Sequence, residues 1–251
     1  PLEVVADGAM PPCHATGQSG LFVNARGMPE KDKELLRDWV RGGMPFGDPQ
    51  DLPAAQTFET GWRLPRDPDL VVPMASEPFS VPADGVVDYQ YFVADPGFTE
   101  DRWIVGAEVL PGCRSVVHHA IIFIRPPDGA RLNGMGWLSA YVPGQRSTLM
   151  PPGMGRRIPA GSKLVFQMHY TPSGREEEDL TRIGLLFADE RELTHEMFTL
   201  MAINQEFEIP PGASDFAVDA RLTRLPKSGM LLAIATHMHV RGQGCRIELV
   251  G

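Results

Sequence analysis

From Val86 onward the chain is a series of short apolar or alternating runs, each closed by a turn signal, and this punctuation limits its fold more than any other feature. VVDYQYFVA (86–94), RWIVGAEVL (102–110), VVHHAIIFI (116–124) and KLVFQMHY (163–170) are separated by signals such as PG, PPDG, PPGMG and PSG. Runs of this length, rich in β-branched and aromatic residues and bounded by Pro and Gly, are strand signals. Further runs follow at 181–188, 196–203, 216–222, 230–240 and 245–250. Such a series belongs to antiparallel β-sandwiches, so the expected class is mainly β. No internal repeat has a fixed period, and the acidic run from Glu176 to Asp179 reads as a solvated loop.

Composition supports folding and removes some functions. The 26 glycines and 24 prolines among 251 residues accompany 43% hydrophobic residues, which is turn-rich globular protein and not disorder. A formal charge of -9 repels phosphate backbones and anionic lipid, so nucleic acid is not an expected partner. No apolar run approaches the roughly 20 residues of a membrane-spanning helix. The chain opens at Pro1 with neither a start methionine nor a signal peptide, an end expected from processing or truncation. Cys13, Cys113 and Cys245 form no CxxC pair, which excludes a zinc ribbon and leaves open either a Cys113–Cys245 bridge or buried free thiols.

Residues 1–50 differ from the rest. Pro29 followed by EKDKELLRDWVRGG has acids early, apolar Leu35, Leu36, Trp39 and Val40 on one stripe, and Gly42 and Gly43 at the exit, the pattern of a short amphipathic helix. The Pro-, Gly- and Asp-rich segment after it reads as a linker ending near residue 57.

Five of the seven histidines sit inside expected strands. His237 and His239, two apart on one strand, leave the same face about 6.6 Å apart by strand rise and can converge on one ion, while Met238 points away. His118 and His119 are adjacent, which on a regular strand sends them to opposite faces; shared ligation demands a bulge or a distorted strand end there. His169 shares a face with Val165 and Gln167 and completes three imidazoles if its strand neighbours the His-His pair. His14 and His195 lack such company and read as surface residues. Imidazole-only sites suit zinc, copper, iron or nickel, and a thioether in the set favours reduced copper. HExxH on a helix is absent, no cupin glutamate follows the HxH pair, where Gln243 and Gly244 stand, and no GxSxG nucleophile is present.

VVHHAIIFI, YVPG (141–144), FQMHY (166–170) and THMH (236–239) followed by Gly242 stand in an order and spacing that resembles the copper type II, ascorbate-dependent monooxygenases, the family of peptidylglycine alpha-hydroxylating and dopamine beta-monooxygenases. The likeness covers about residues 58–251. It implies two jelly-roll β-sandwich domains, each holding one copper across a cleft: a first at 58–190, and the beginning of a second at 191–251 that stops short of a full sandwich. By this likeness His118, His119 and His169 form the electron-storing site, with Gln167 a supporting residue. His237 and His239 belong to the oxygen-binding, catalytic site. The family's second site also takes a methionine from a later strand, and none follows Met238. A second likeness concerns MPPCH and the helix after it, similar to the final third of a c-type cytochrome module in which Met10 is the axial haem ligand; a plain helical extension is the competing reading. CxxCH would need a cysteine at Met10, so haem belongs only to a longer parent.

The resemblance implies hydroxylation of a substrate C–H carbon by O2, with electrons from an ascorbate-like reductant or a fused cytochrome, in a periplasmic or secreted protein, and inactivity of the chain as it stands. Peptide-amidating relatives place an arginine two residues before the first histidine of HxH. Here that residue is Ala235, which argues for a small-molecule substrate over a peptidylglycine. The competing readings are a copper-binding or electron-transfer module without oxygenase chemistry, and a zinc-stabilised interaction sandwich.

Overall fold

The computed structural model of the chain describes residues 2–7, 28–55, 61–144, 147–223, 225–226, 228–238 and 242–249. Met10, Cys13, His14 and His239 lie outside the described residues. The chain divides into two compact units, Pro1–Phe58 and Glu59–Gly251.

The first unit holds helices α1 (Leu2–Ala6) and α2 (Glu30–Arg41). α2 begins directly after Pro29, carries Glu30 and Asp32 in its first turn and Arg41 in its last, and so matches the helix dipole at both ends. It ends where Gly43 takes φ 85°, a conformation that costs glycine little. The indole N–H of Trp39 then donates to the Pro45 carbonyl at 3.0 Å. Of the apolar stripe, Leu36 and Val40 are half-buried, while Leu35 and Trp39 are exposed.

The second unit is built from strands. In order they are β1 (Leu70–Pro73), β2 (Phe79–Val81), β3 (Gln90–Ala94), β4 (Arg102–Leu110), β5 (Val117–Arg125) and β6 (Trp137–Tyr141), followed by β7 (Thr148–Leu149), β8 (Met154–Ile158), β9 (Lys163–Tyr170), β10 (Glu177–Asp179), β11 (Arg182–Ala188) and β12 (His195–Glu196). One sheet runs β1-β11-β4-β8-β12 with β7 on β4, a second runs β3-β9-β5-β6, and β2 pairs with β10. Pairing is antiparallel except between β8 and β12.

Period-two burial explains why these residues form strands here. On β9, Leu164, Phe166, Met168 and Tyr170 are buried, whereas Lys163, Val165, Gln167 and His169 are half-buried on the other face. Ala120, Ile122 and Ile124 of β5 join them from the same sheet, and Ile104, Val109, Ile183 and Leu185 come from the facing sheet into the same core cluster. Two largely antiparallel sheets thus enclose one apolar interior. Each fully buried Leu, Ile, Phe or Met contributes about 1.5–3 kcal/mol, so a one-residue slip of β9, which would drive Gln167 and His169 inward, is strongly disfavoured.

Two expectations change. The acidic run is not a solvated loop: Glu177–Asp179 is strand β10, and alternation exposes Glu178 while burying Asp179 completely. The runs expected as strands at 216–222, 230–240 and 245–250 carry no strand among the described residues, and that at 196–203 contributes only the end of β12. An alternating run becomes a strand only when a neighbour completes its ladder and covers its apolar face. Here Leu231, Ile234 and Leu249 remain exposed. Cys113 and Cys245 are both free thiols. Among the described residues no helix is long and apolar enough to cross a membrane.

Candidate metal centre

The centre grows from an irregularity in the pairing of β5 with β9. Residues pair regularly from Arg125↔Lys163 to His119↔His169, after which Val117 faces Tyr170, so His118 is an extra residue with no partner of its own. Two residues opposite one is a β-bulge, the device that the adjacent histidines required. A tight turn leads into it. The N–H groups of Val116 and Val117 both donate to the Cys113 carbonyl, at 3.4 and 3.2 Å, and Thr171 N–H donates to the Val116 carbonyl at 2.8 Å.

The bulge brings the rings together. His118 and His119 have ring centroids 5.4 Å apart, and His169 lies 4.9 Å from each. Each of the three residues offers one ligand atom, all within 4.8 Å of one another. Nitrogens bound to one ion at about 2 Å are separated by roughly 3.3 Å at the tetrahedral angle, so small rotations suffice. The Nδ1 atoms of His118 and His119 face each other at 3.2 Å. The Nδ1 of His169 is buried and has no hydrogen-bond partner among the described residues. An orphaned buried imidazole nitrogen beside two converging ones fits a bound cation, with Nδ1 as the ligating edge.

Electrostatics keeps these rings in the ligand state. Burial, then the charges of His169, His118 and His237, pull His119 from 6.5 down to about 4, and burial together with His118 lowers His169. Both are therefore neutral near pH 7, with a lone pair free for a metal. The same shift sets a stability window for the metal-free protein. Unfolded His119 takes a proton near 6.5 and folded His119 only near 4, so the unfolded state binds more protons between these values and stability falls as pH falls through them. Melting of metal-free protein at pH 7 and pH 5 should show this loss, and His119→Gln should make it shallower; equal slopes would refute the assignment.

Of the second histidine set, His237 stands near enough to count among the influences on His119 but is outside the three-membered group, and His239 lies outside the described residues. His195 is exposed and pairs through Nδ1 with the Thr194 hydroxyl at 2.9 Å, as a surface histidine would. Gln167 shares the outer face with His169 and donates through Nε2 to the Tyr91 hydroxyl at 2.8 Å.

Two residues at the centre escaped the sequence. Tyr89 stacks on His169 with centroids 4.9 Å apart at 23°, and its hydroxyl is 3.4 Å from Nε2 of His119. The available signal was its spacing, two before Tyr91 as His169 is two after Gln167. Asp179 braces the centre from inside. Its Oδ1 accepts from Cys113 N–H at 2.8 Å, and its Oδ2 accepts from the hydroxyls of Tyr170 at 2.9 Å and Thr181 at 2.8 Å. Cys113 opens the turn before the bulge and Tyr170 follows His169, so one carboxylate ties the two ligand-bearing segments together. Burial, followed by the Asp179 charge, pushes the Tyr170 phenol well above its ordinary range, so it stays a donor. Gly112 lets the turn approach, since a Cβ there would lie 2.6 Å from the Leu180 nitrogen.

No family model and no curated protein matches the chain.

Proposed function

We propose that this chain is a copper-binding β-sandwich of the type II, ascorbate-dependent monooxygenase kind, serving the hydroxylation of a substrate C–H carbon. The observation that carries this reading is the bulge at His118, which collects three imidazoles from the strands VVHHAIIFI and KLVFQMHY. Those motifs, in order with YVPG and THMH, are what resemble the family.

Copper held by His118, His119 and His169 would supply one-electron chemistry, storing an electron for the reaction with O2. The protein's part is positional. Neutral imidazoles present their nitrogens to a common point, the bulge fixes two of them, and the backbone ladder between β5 and β9 fixes the third. In this reading His237 and His239 serve the oxygen-binding site, an ascorbate-like reductant or a cytochrome fused upstream is the donor, with Met10 its haem ligand, and the protein works in the periplasm or outside the cell. The substrate is a small molecule.

A second reading is a copper-binding or electron-transfer module without oxygenase activity. It is favoured by His237 lying on a segment that carries no strand among the described residues. Reconstitution with copper of a chain extended through a complete second sandwich, followed by oxygen consumption with ascorbate and candidate small-molecule substrates, separates the two. Substrate-dependent uptake is expected from a monooxygenase. Copper binding and reduction without uptake supports the module, and zinc alone at one equivalent in aerobically purified protein would sink both.

A further inference from the structure

Tyr89 stands one residue before β3, and alternation puts it on the outer face with Tyr91 and Val93, while Phe92 points towards the core. β3 pairs with β9 in the register Tyr91↔Gln167, which brings Tyr89 level with His169. His169 in turn pairs with His119 on β5. Three rings therefore lie side by side across three strands, Tyr89, His169 and His119, with His118 projecting from the bulge at the far side.

We infer that Tyr89 is a positioning residue of the histidine centre: its ring is the wall on which His169 stacks, and its hydroxyl is the partner of the outer nitrogen of His119. The inference rests on the proposal that the three imidazoles hold a metal. The stack is close, with centroids 4.9 Å apart and planes at 23°, whereas the ring of His119 is tilted at 54° and 5.7 Å away. With Nδ1 of His119 turned towards His118, the free nitrogen is Nε2, and Tyr89 Oη reaches that atom at 3.4 Å. An imidazole that ligates through one nitrogen is held in its tautomer and rotation by whatever accepts from the other. At 3.4 Å this bond is long, so the stack carries the larger share of the effect. Tyr89 is 46% exposed and is not part of the core cluster, so the fold does not depend on its ring.

The test uses the full chain with copper as the only probe. Wild type, Tyr89→Phe, Tyr89→Leu and His169→Ala are compared in copper affinity, in the electron paramagnetic resonance spectrum of the copper(II) form, and in melting without metal. Tyr89→Leu should weaken copper about tenfold, as removal of such supporting partners does, and shift the hyperfine splitting. Tyr89→Phe keeps the stack and should stay within about threefold, with a spectrum close to wild type. Metal-free melting should be the same in wild type and both Tyr89 variants. Wild-type affinity and spectrum in Tyr89→Leu, with copper lost in His169→Ala, would overturn the role of Tyr89 and leave the centre standing. Weaker binding with an unchanged spectrum and a matching drop in metal-free melting would mean a merely structural part and also overturns it. Copper binding that is absent from wild type, or indifferent to His169→Ala, would overturn the centre and this inference with it.

Discussion

Replacing Asp179 by alanine is expected to destabilise the β-rich unit by about 3–5 kcal/mol, because three buried donors lose their acceptor together. For a unit of this size that is a fall in Tm of roughly 10 °C. Asp179 is fully buried and accepts from Cys113 N–H, the Tyr170 hydroxyl and the Thr181 hydroxyl. Alanine leaves all three donors without a carboxylate, and each unsatisfied buried donor costs about 1–3 kcal/mol. Asp179→Asn retains one acceptor oxygen but points an N–H₂ group at another donor, so its loss should be intermediate. Urea unfolding followed by circular dichroism measures both variants. Midpoints equal to wild type would show that these donors find other partners and that the carboxylate is not a brace.

The second large effect concerns metal. His169→Ala is expected to weaken copper binding by more than about 100-fold, beyond what loss of a supporting partner causes. His169 is the middle ring of the group, 4.9 Å from each of the others, and supplies the unpaired buried Nδ1. Its loss leaves His118 and His119 alone on one strand. In wild type, copper at about 100 times its dissociation constant should stabilise the fold by about 2.7 kcal/mol, visible as a rise in Tm. The His169→Ala protein should keep at most about 0.4 kcal/mol of that stabilisation at the same concentration, whereas His195→Ala, at a surface histidine, should respond like wild type. A variant that still responds fully would place the metal elsewhere.

How much of this was legible depends on whether the governing contact is local. β9 begins and ends where the alternation of KLVFQMHY begins and ends, because a half-buried strand writes its two faces into its own residues, and β4 coincides with the apolar run RWIVGAEVL, which is buried on both faces over its second half. The bulge was legible too, since adjacent histidines cannot share an ion on a regular strand. Asp179 was not. Four successive acidic residues resemble a surface loop, and only pairing of β10 with β2 beneath the Cys113 turn makes one of them interior. Tyr89 was hidden for the opposite reason: an aromatic residue in an apolar run is what any strand shows, and its meaning comes from the register with β9. The runs after Glu196 look like strands by the same local rule, yet no neighbouring strand completes them among the described residues.

The bulge at His118 has an effect on the interior as well. Were β5 regular, strict alternation would send one of two consecutive imidazoles inward beside Ala120, among aliphatic groups that offer it nothing to bond. The supernumerary residue absorbs that conflict: His118 leaves to the solvent side, and Val117 turns back into the apolar layer. A single extra peptide thus lets a polar pair be written into the middle of a hydrophobic word without a polar group being stranded beneath it.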